Sequence, residues 1–137
     1  MNIDHLAIAV PDLNAALGFF RDALGLDVQQ VEDVPREGVR VAFLPIGESH
    51  IEIVQPTHDD TGISRWLSKY GPGMHHVCLR VDDIDAALAR LAAHGCELIN
   101  PQPIKRADGT RYAFIHPRSA FGVLVELYQK PALAGGR

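Results

Sequence analysis

Cysteine is scarce in this chain, with Cys78 and Cys96 the only two in 137 residues. They complete neither a C-x-x-C metal motif nor a disulfide framework, and they suit a reduced, cytoplasmic setting. No apolar run approaches the roughly 20 residues that span a bilayer. No signal-peptide pattern opens the sequence either, so neither a membrane nor export is expected. Basic clusters are also missing. Thirteen Lys and Arg against 17 Asp and Glu give a net charge of −4, which argues against nucleic acid as a partner. Only the tail PALAGGR, residues 131–137, lacks periodicity and reads as a frayed terminus.

What remains is an ordinary globular composition, 47% hydrophobic and 22% charged, sized for a single domain, 1–137, with a substantial core. Its distinguishing feature is a repeat. HLAIAVPDLNAAL at 5–17 returns 71 residues later as HVCLRVDDIDAAL at 76–88, with His5/His76, Val10/Val81, Asp12/Asp83, Ala15/Ala86, Ala16/Ala87 and Leu17/Leu88 identical.

Both copies have the same order of structural signals. IDHLAIAV at 3–10 alternates as a strand does. Pro11 ends it, and Asp12 can cap a helix. Leu13, Ala16, Leu17, Phe20 and Leu24 then form one apolar stripe, and Gly25 suits the helix C-terminus. Strand-like runs follow at 26–32, 39–46 and 50–55, the last two joined by a turn at Gly47-Glu48-Ser49. In the second copy the strand is 74–81. Asp83 caps a helix bearing Ile84, Ala87, Leu88 and Leu91, and strands are expected at 96–100, 111–117 and 122–129. The expected fold class is therefore α+β: two βαβββ modules, 2–56 and 74–130, forming one curved mixed sheet with helices on its outer face. A linker at 57–73 carries a short amphipathic helix with Ile63, Trp66, Leu67 and Tyr70.

Alternation in a strand decides which side chains share a face. Leu6, Ile8 and Val10 should meet the helix, as should Val77, Leu79 and Val81. His5 and His76 then fall on the opposite, concave face beside small residues. The last strand of each module adds one acid inside an apolar run, Glu52 and Glu126, followed three residues on by Gln55 and Gln129. An unpaired buried carboxylate costs several kcal/mol, roughly, so two of them ask for a cation. Two imidazoles and two carboxylates, His5, Glu52, His76 and Glu126, make a site for one divalent metal ion with borderline and hard donors mixed. His75 precedes His76 and should face the other way. His50, His58 and His94 are read as solvated, in turn or helix contexts.

The segments IDHLAIAVPDL, GVRVAFLPIGESHIEIVQP, MHHVCLRVDDIDAAL and FIHPRSAFGVLVEL resemble the vicinal oxygen chelate (glyoxalase/bleomycin-resistance-like) superfamily, and within it the methylmalonyl-CoA epimerases. The resemblance covers nearly the whole chain apart from the tail. It implies an isomerase that epimerises methylmalonyl-CoA, or a related 2-substituted malonyl-CoA, through a metal-stabilised enolate. It implies the same four ligands, one divalent ion (Co, Ni, Mn, Zn or Mg), an acyl-CoA partner and a homodimer. Glu126 matches the base-and-ligand position, and Glu52 is the candidate second base. The chain departs from the epimerase pattern at Arg106, Arg118 and Phe121, which with Lys105 are expected near the pocket mouth as substrate-binding residues. Lys105, Arg106, Arg111 and Arg118 are candidates for the CoA phosphates. Where some epimerases carry an extra Glu in the third strand, this chain has Val41.

Three other functions can be built on this fold. A glyoxalase I-like lactoylglutathione lyase uses the same ligand types, but the short loops and epimerase-like strands argue against it. An extradiol dioxygenase needs a two-His-one-carboxylate iron site, which a fourth ligand disfavours. A non-catalytic small-molecule binding protein has no need of an intact quartet.

Overall fold

The computed structural model describes residues 1–132; the tail beyond, residues 133–137, lies outside the described residues. The chain divides into two compact units, residues 5–75 and residues 76 onward together with 1–4. No helix of the described residues is long and apolar enough to cross a membrane.

The first unit contains most of strand β1 (Asn2–Ala9), helix α1 (Leu13–Leu17), β2 (Gln30–Val34), β3 (Val39–Ile46), β4 (Ser49–Pro56) and helix α2 (Gly62–Tyr70). β2, β3 and β4 run antiparallel in succession, and β4 returns to pair parallel with β1. The β3–β4 hairpin turns on only two residues, because Ile46 already pairs with Ser49. Gly47 makes that possible: its φ of 57° lies in the left-handed region. Val10, Leu13, Leu17, Ala42, Leu44 and Ile53 form the buried core between α1 and the sheet, with Ile8, Phe20, Leu26, Val28 and Ile51 packed against it. The opposite face has its own smaller core of Ala7, Val39, Val41 and Val54, against which Ile63 of α2 packs.

The second unit contains β5 (Gly73–Arg80) from His76 on, α3 (Ile84–Ala93), β6 (Ile104–Lys105), β7 (Arg111–Ile115) and β8 (Val125–Gln129). β5 pairs parallel with β8, β8 antiparallel with β7, and β7 antiparallel with β6. Val81, Ile84, Leu88, Ala113, Ile115 and Leu127 form the core beneath α3.

Both helices begin as the sequence predicts. Asp12 accepts the Ala15 N–H at 3.2 Å and Asp83 the Ala86 N–H at 3.0 Å. A second acceptor comes from far along the chain. Gln55 Oε1 takes the Leu13 N–H at 2.6 Å, and Gln129 Oε1 takes the Ile84 N–H at 2.7 Å. These glutamines thus hold the first free N–H of each helix against its own sheet.

Three segments differ from expectation. The first helix widens into a π-helix over Gly18–Ala23, with Leu24 N–H reaching Phe19 C=O at 2.8 Å. The extra residue per turn rotates Leu24 off the apolar stripe and leaves it 55% exposed. The ladder of β2 starts at Gln30 rather than Leu26, because Leu26 and Val28 pack into the helix-side core ahead of the pairing. Residues 96–100 form no strand but a single bridge, Leu98 to Ile115. Asn100 Oδ1 takes the Phe114 N–H at 2.8 Å, a bond that a regular ladder would give to a backbone carbonyl.

Candidate active site

In the first unit, the parallel register sets His5 beside His50 and Ala7 beside Glu52. Ile8, Ile51 and Ile53 are on the α1 side, so alternation turns His5, His50 and Glu52 to the other face. There His5 Nδ1 lies 3.3 Å from Glu52 Oε2, and His50 Nε2 lies 2.9 Å from the same oxygen. The His5 and His50 rings stack at 5.1 Å with 30° between planes, and Phe43 stands 5.7 Å from His50 on its other flank. His5 is buried; His50 and Glu52 are partly so. The expectation that His50 is a solvated turn residue is therefore corrected. The two-residue hairpin puts it inside β4, two positions before Glu52 and on its face. The sequence does carry the signal, since i and i+2 share a face of any strand.

In the second unit, Cys78 pairs with Glu126, and Phe114 lies opposite Glu126. His76 Nε2 lies 3.1 Å from Glu126 Oε1 and meets the Phe114 ring edge-on at 5.5 Å. Glu126 is the more enclosed acid, 3% exposed. Among the described residues no buried side-chain nitrogen or oxygen lacks a partner, so this carboxylate is held by neighbouring groups rather than stranded. On the same face of β8, burial first, and then the Asp4 and Asp108 carboxylates, hold the Tyr128 hydroxyl above its ordinary pKa. His75 packs against Trp66 at 5.1 Å.

The donors in each unit fit a divalent ion. Two ligands in adjacent positions around an octahedral ion, at bonds of about 2.1 Å, stand about 3.0 Å apart. The 3.3 Å and 3.1 Å His–Glu separations match that spacing. Imidazole nitrogen and carboxylate oxygen are also the donor types that such ions share.

A family model described as the glyoxalase/bleomycin resistance protein/dioxygenase superfamily matches residues 4–114. The mitochondrial methylmalonyl-CoA epimerase of Mus musculus is 40% identical over 128 residues, covering 93% of this chain and 72% of the relative. The ethylmalonyl-CoA/methylmalonyl-CoA epimerase of Cereibacter sphaeroides is 39% identical, covering 93% and 96%. Among solved structures, Streptomyces coelicolor methylmalonyl-CoA epimerase in complex with 2-nitronate-propionyl-CoA superposes with a TM-score of 0.86 at 34% identity, covering 97% of this chain and 96% of that one. This chain belongs to the methylmalonyl-CoA epimerase branch of that superfamily. It has the α+β vicinal oxygen chelate fold that its internal repeat implies.

Against the epimerase pattern, the departures have definite places in the structure. Val41, where some epimerases carry Glu, is buried among Val39, Val54 and Ala7 and offers no acid. Arg106 lies over the Tyr112 ring, 4.3 Å from its centroid. The turn that follows is fixed by Asp108, which accepts from both the N–H (2.9 Å) and the hydroxyl (2.7 Å) of Thr110; these bonds lower its carboxyl pKa. Lys105 is exposed on β6. Arg118 pairs with Glu97 at 3.1 Å, and Arg111 with Asp85 at 2.8 Å. Phe121 is fully exposed at a φ of 56°, an uncommon backbone state for an aromatic residue.

Proposed function

We propose that this protein is an isomerase that epimerises methylmalonyl-CoA, or a close 2-substituted malonyl-CoA, at C2, with His5, Glu52, His76 and Glu126 holding one divalent cation. One observation carries the reading. Each repeat presents a His/Glu pair on the face turned away from its α1 or α3 helix, at 3.3 Å and 3.1 Å, in a chain of the epimerase family. The epimerase relatives with substrate-like ligands supply the acyl-CoA class. A homodimer in the cytoplasm completes the proposal.

A cation in this site supplies Lewis-acid stabilisation of the negative charge that develops when the C2 proton leaves. The chain's own residues move that proton. Glu126, enclosed beside His76, is the base that removes it. Inversion needs a proton delivered to the opposite side of C2, and Glu52 or a water molecule returns it. The Tyr112, Phe114 and Tyr128 rings on the same side of β7 and β8 shield the reacting carbon from bulk water. Lys105, Arg106, Arg118 and Phe121 meet the acyl-CoA at the mouth.

The test is proton–deuterium exchange at C2 of methylmalonyl-CoA in heavy water, with and without a chelator. Exchange that the chelator abolishes and a divalent salt restores is the expected result. No exchange, together with rapid turnover of a hemithioacetal, would give the activity to the glyoxalase class.

A further inference from the structure

Among the described residues, His50 touches both of the ligands that the first repeat contributes. Its Nε2 meets Glu52 Oε2 at 2.9 Å, the shorter of that oxygen's two imidazole contacts, and its ring stacks on His5 at 5.1 Å. Phe43, at 5.7 Å, limits movement of the ring away from them. The two contacts to Glu52 converge on Oε2, so that oxygen is held between the two imidazoles.

We propose that His50 is a positioning residue for the metal centre: it donates to Glu52 Oε2 and braces the His5 ring, fixing two ligands before the cation arrives. This rests on the ligand set proposed above. Partners of this kind orient ligands and typically govern metal affinity by 10–100-fold. The second repeat holds its pair differently. Two positions before Glu52, inside β4, the first repeat places an imidazole, whereas the corresponding approach to Glu126 is the segment Val123-Leu124-Val125. There the edge of Phe114 abuts His76 instead.

Cobalt(II) titration of the apo protein tests this, followed by calorimetry and by the visible absorption of the bound ion. Wild type, His50→Ala and His50→Gln are compared, with far-UV circular dichroism verifying the fold of each. His50→Ala should weaken cobalt(II) binding about 10–100-fold. His50→Gln, whose amide can still donate to Oε2, should recover most of that loss and give the wild-type spectrum, because no ligand has changed. Unaltered affinity in His50→Ala would overturn the inference while leaving the ligand set intact. So would the same spectral change in both variants, because His50 would then itself be a ligand. Failure of wild type to bind cobalt(II) would instead remove the ligand set, and this inference with it.

Discussion

Gln55→Ala should destabilise the first repeat by an amount that the hydrogen-bond geometry sets. Its Oε1 takes the Leu13 N–H at 2.6 Å, the first of the helix N–H groups with no partner inside the helix. Leu13 is 3% exposed, so water cannot easily replace the lost acceptor. A net hydrogen bond contributes about 0.5–1.5 kcal/mol, and a buried donor left unpaired costs about 1–3 kcal/mol. The expected loss is therefore about 1–3 kcal/mol, read as a lower urea midpoint at unchanged m-value. Gln129→Ala should cost at least as much. Its Oε1 serves the N–H of Ile84, 0% exposed, and also receives Arg111 at 3.2 Å. The two glutamines have no partner in common, so the double variant should lose nearly the sum. Gln55→Glu is the control. A carboxylate keeps the acceptor and adds a favourable charge at a helix N-terminus, so this variant should stay within about 0.5 kcal/mol of wild type. If Gln55→Glu proved as damaging as Gln55→Ala, or Gln55→Ala cost nothing, the long-range cap would not be what joins helix to sheet.

Other outcomes follow from the site. Glu126→Gln, still able to coordinate through its amide oxygen, should retain metal while C2 exchange falls by roughly two to four orders of magnitude; near-normal exchange would move the base to Glu52. His76→Ala should strip metal from the purified protein, whereas His75→Ala, which removes the ring packed on Trp66, should leave metal content unchanged by elemental analysis. Arg106→Gly should alter KM across a panel of acyl-CoA esters without altering metal occupancy; silence across the panel would place Arg106 outside the pocket. Asp108→Asn tests the turn at 108–110. The folded carboxyl pKa is lowered by the two Thr110 bonds, so the charge contributes stability above the unfolded pKa and loses it as pH falls through the folded one. The gap between wild-type and Asp108→Asn melts should therefore be present at neutral pH and close in acid below about pH 4.

The features that the sequence makes legible are those written in neighbouring residues. The caps Asp12 and Asp83 and the alternation around His5, Glu52, His76 and Glu126 obey local rules of this kind. What stays hidden depends on partners far along the chain. Asn100 competes for the N–H of Phe114, and no spacing rule shows that an asparagine will displace a strand there. The π-turn at Gly18–Ala23 preserves an apolar pattern through Phe20 and then lets Leu24 go. His50 shares the face of Glu52 by a local rule, two residues before it in one strand, and only its reading as a turn residue conceals it. Gln55 and Gln129 are visible as a recurring pair, but their roles as caps need the folded register.

The parallel pairing of β1 with β4 has a consequence for how the protein is made. β1 ends at Ala9 and β4 begins at Ser49, so His5 is synthesised well before Glu52. Their encounter requires closure of a long loop, with the entropic cost that this carries. It also raises the mean sequence separation of contacts, which slows folding. The intervening helix and the antiparallel strands β2 and β3 are more local and can form first. The His5–Glu52 pair is then a late event in the life of the nascent chain, and a cation cannot guide the earlier steps through it. The order of synthesis leaves the His5–Glu52 pair to report that the sheet of the first repeat has closed.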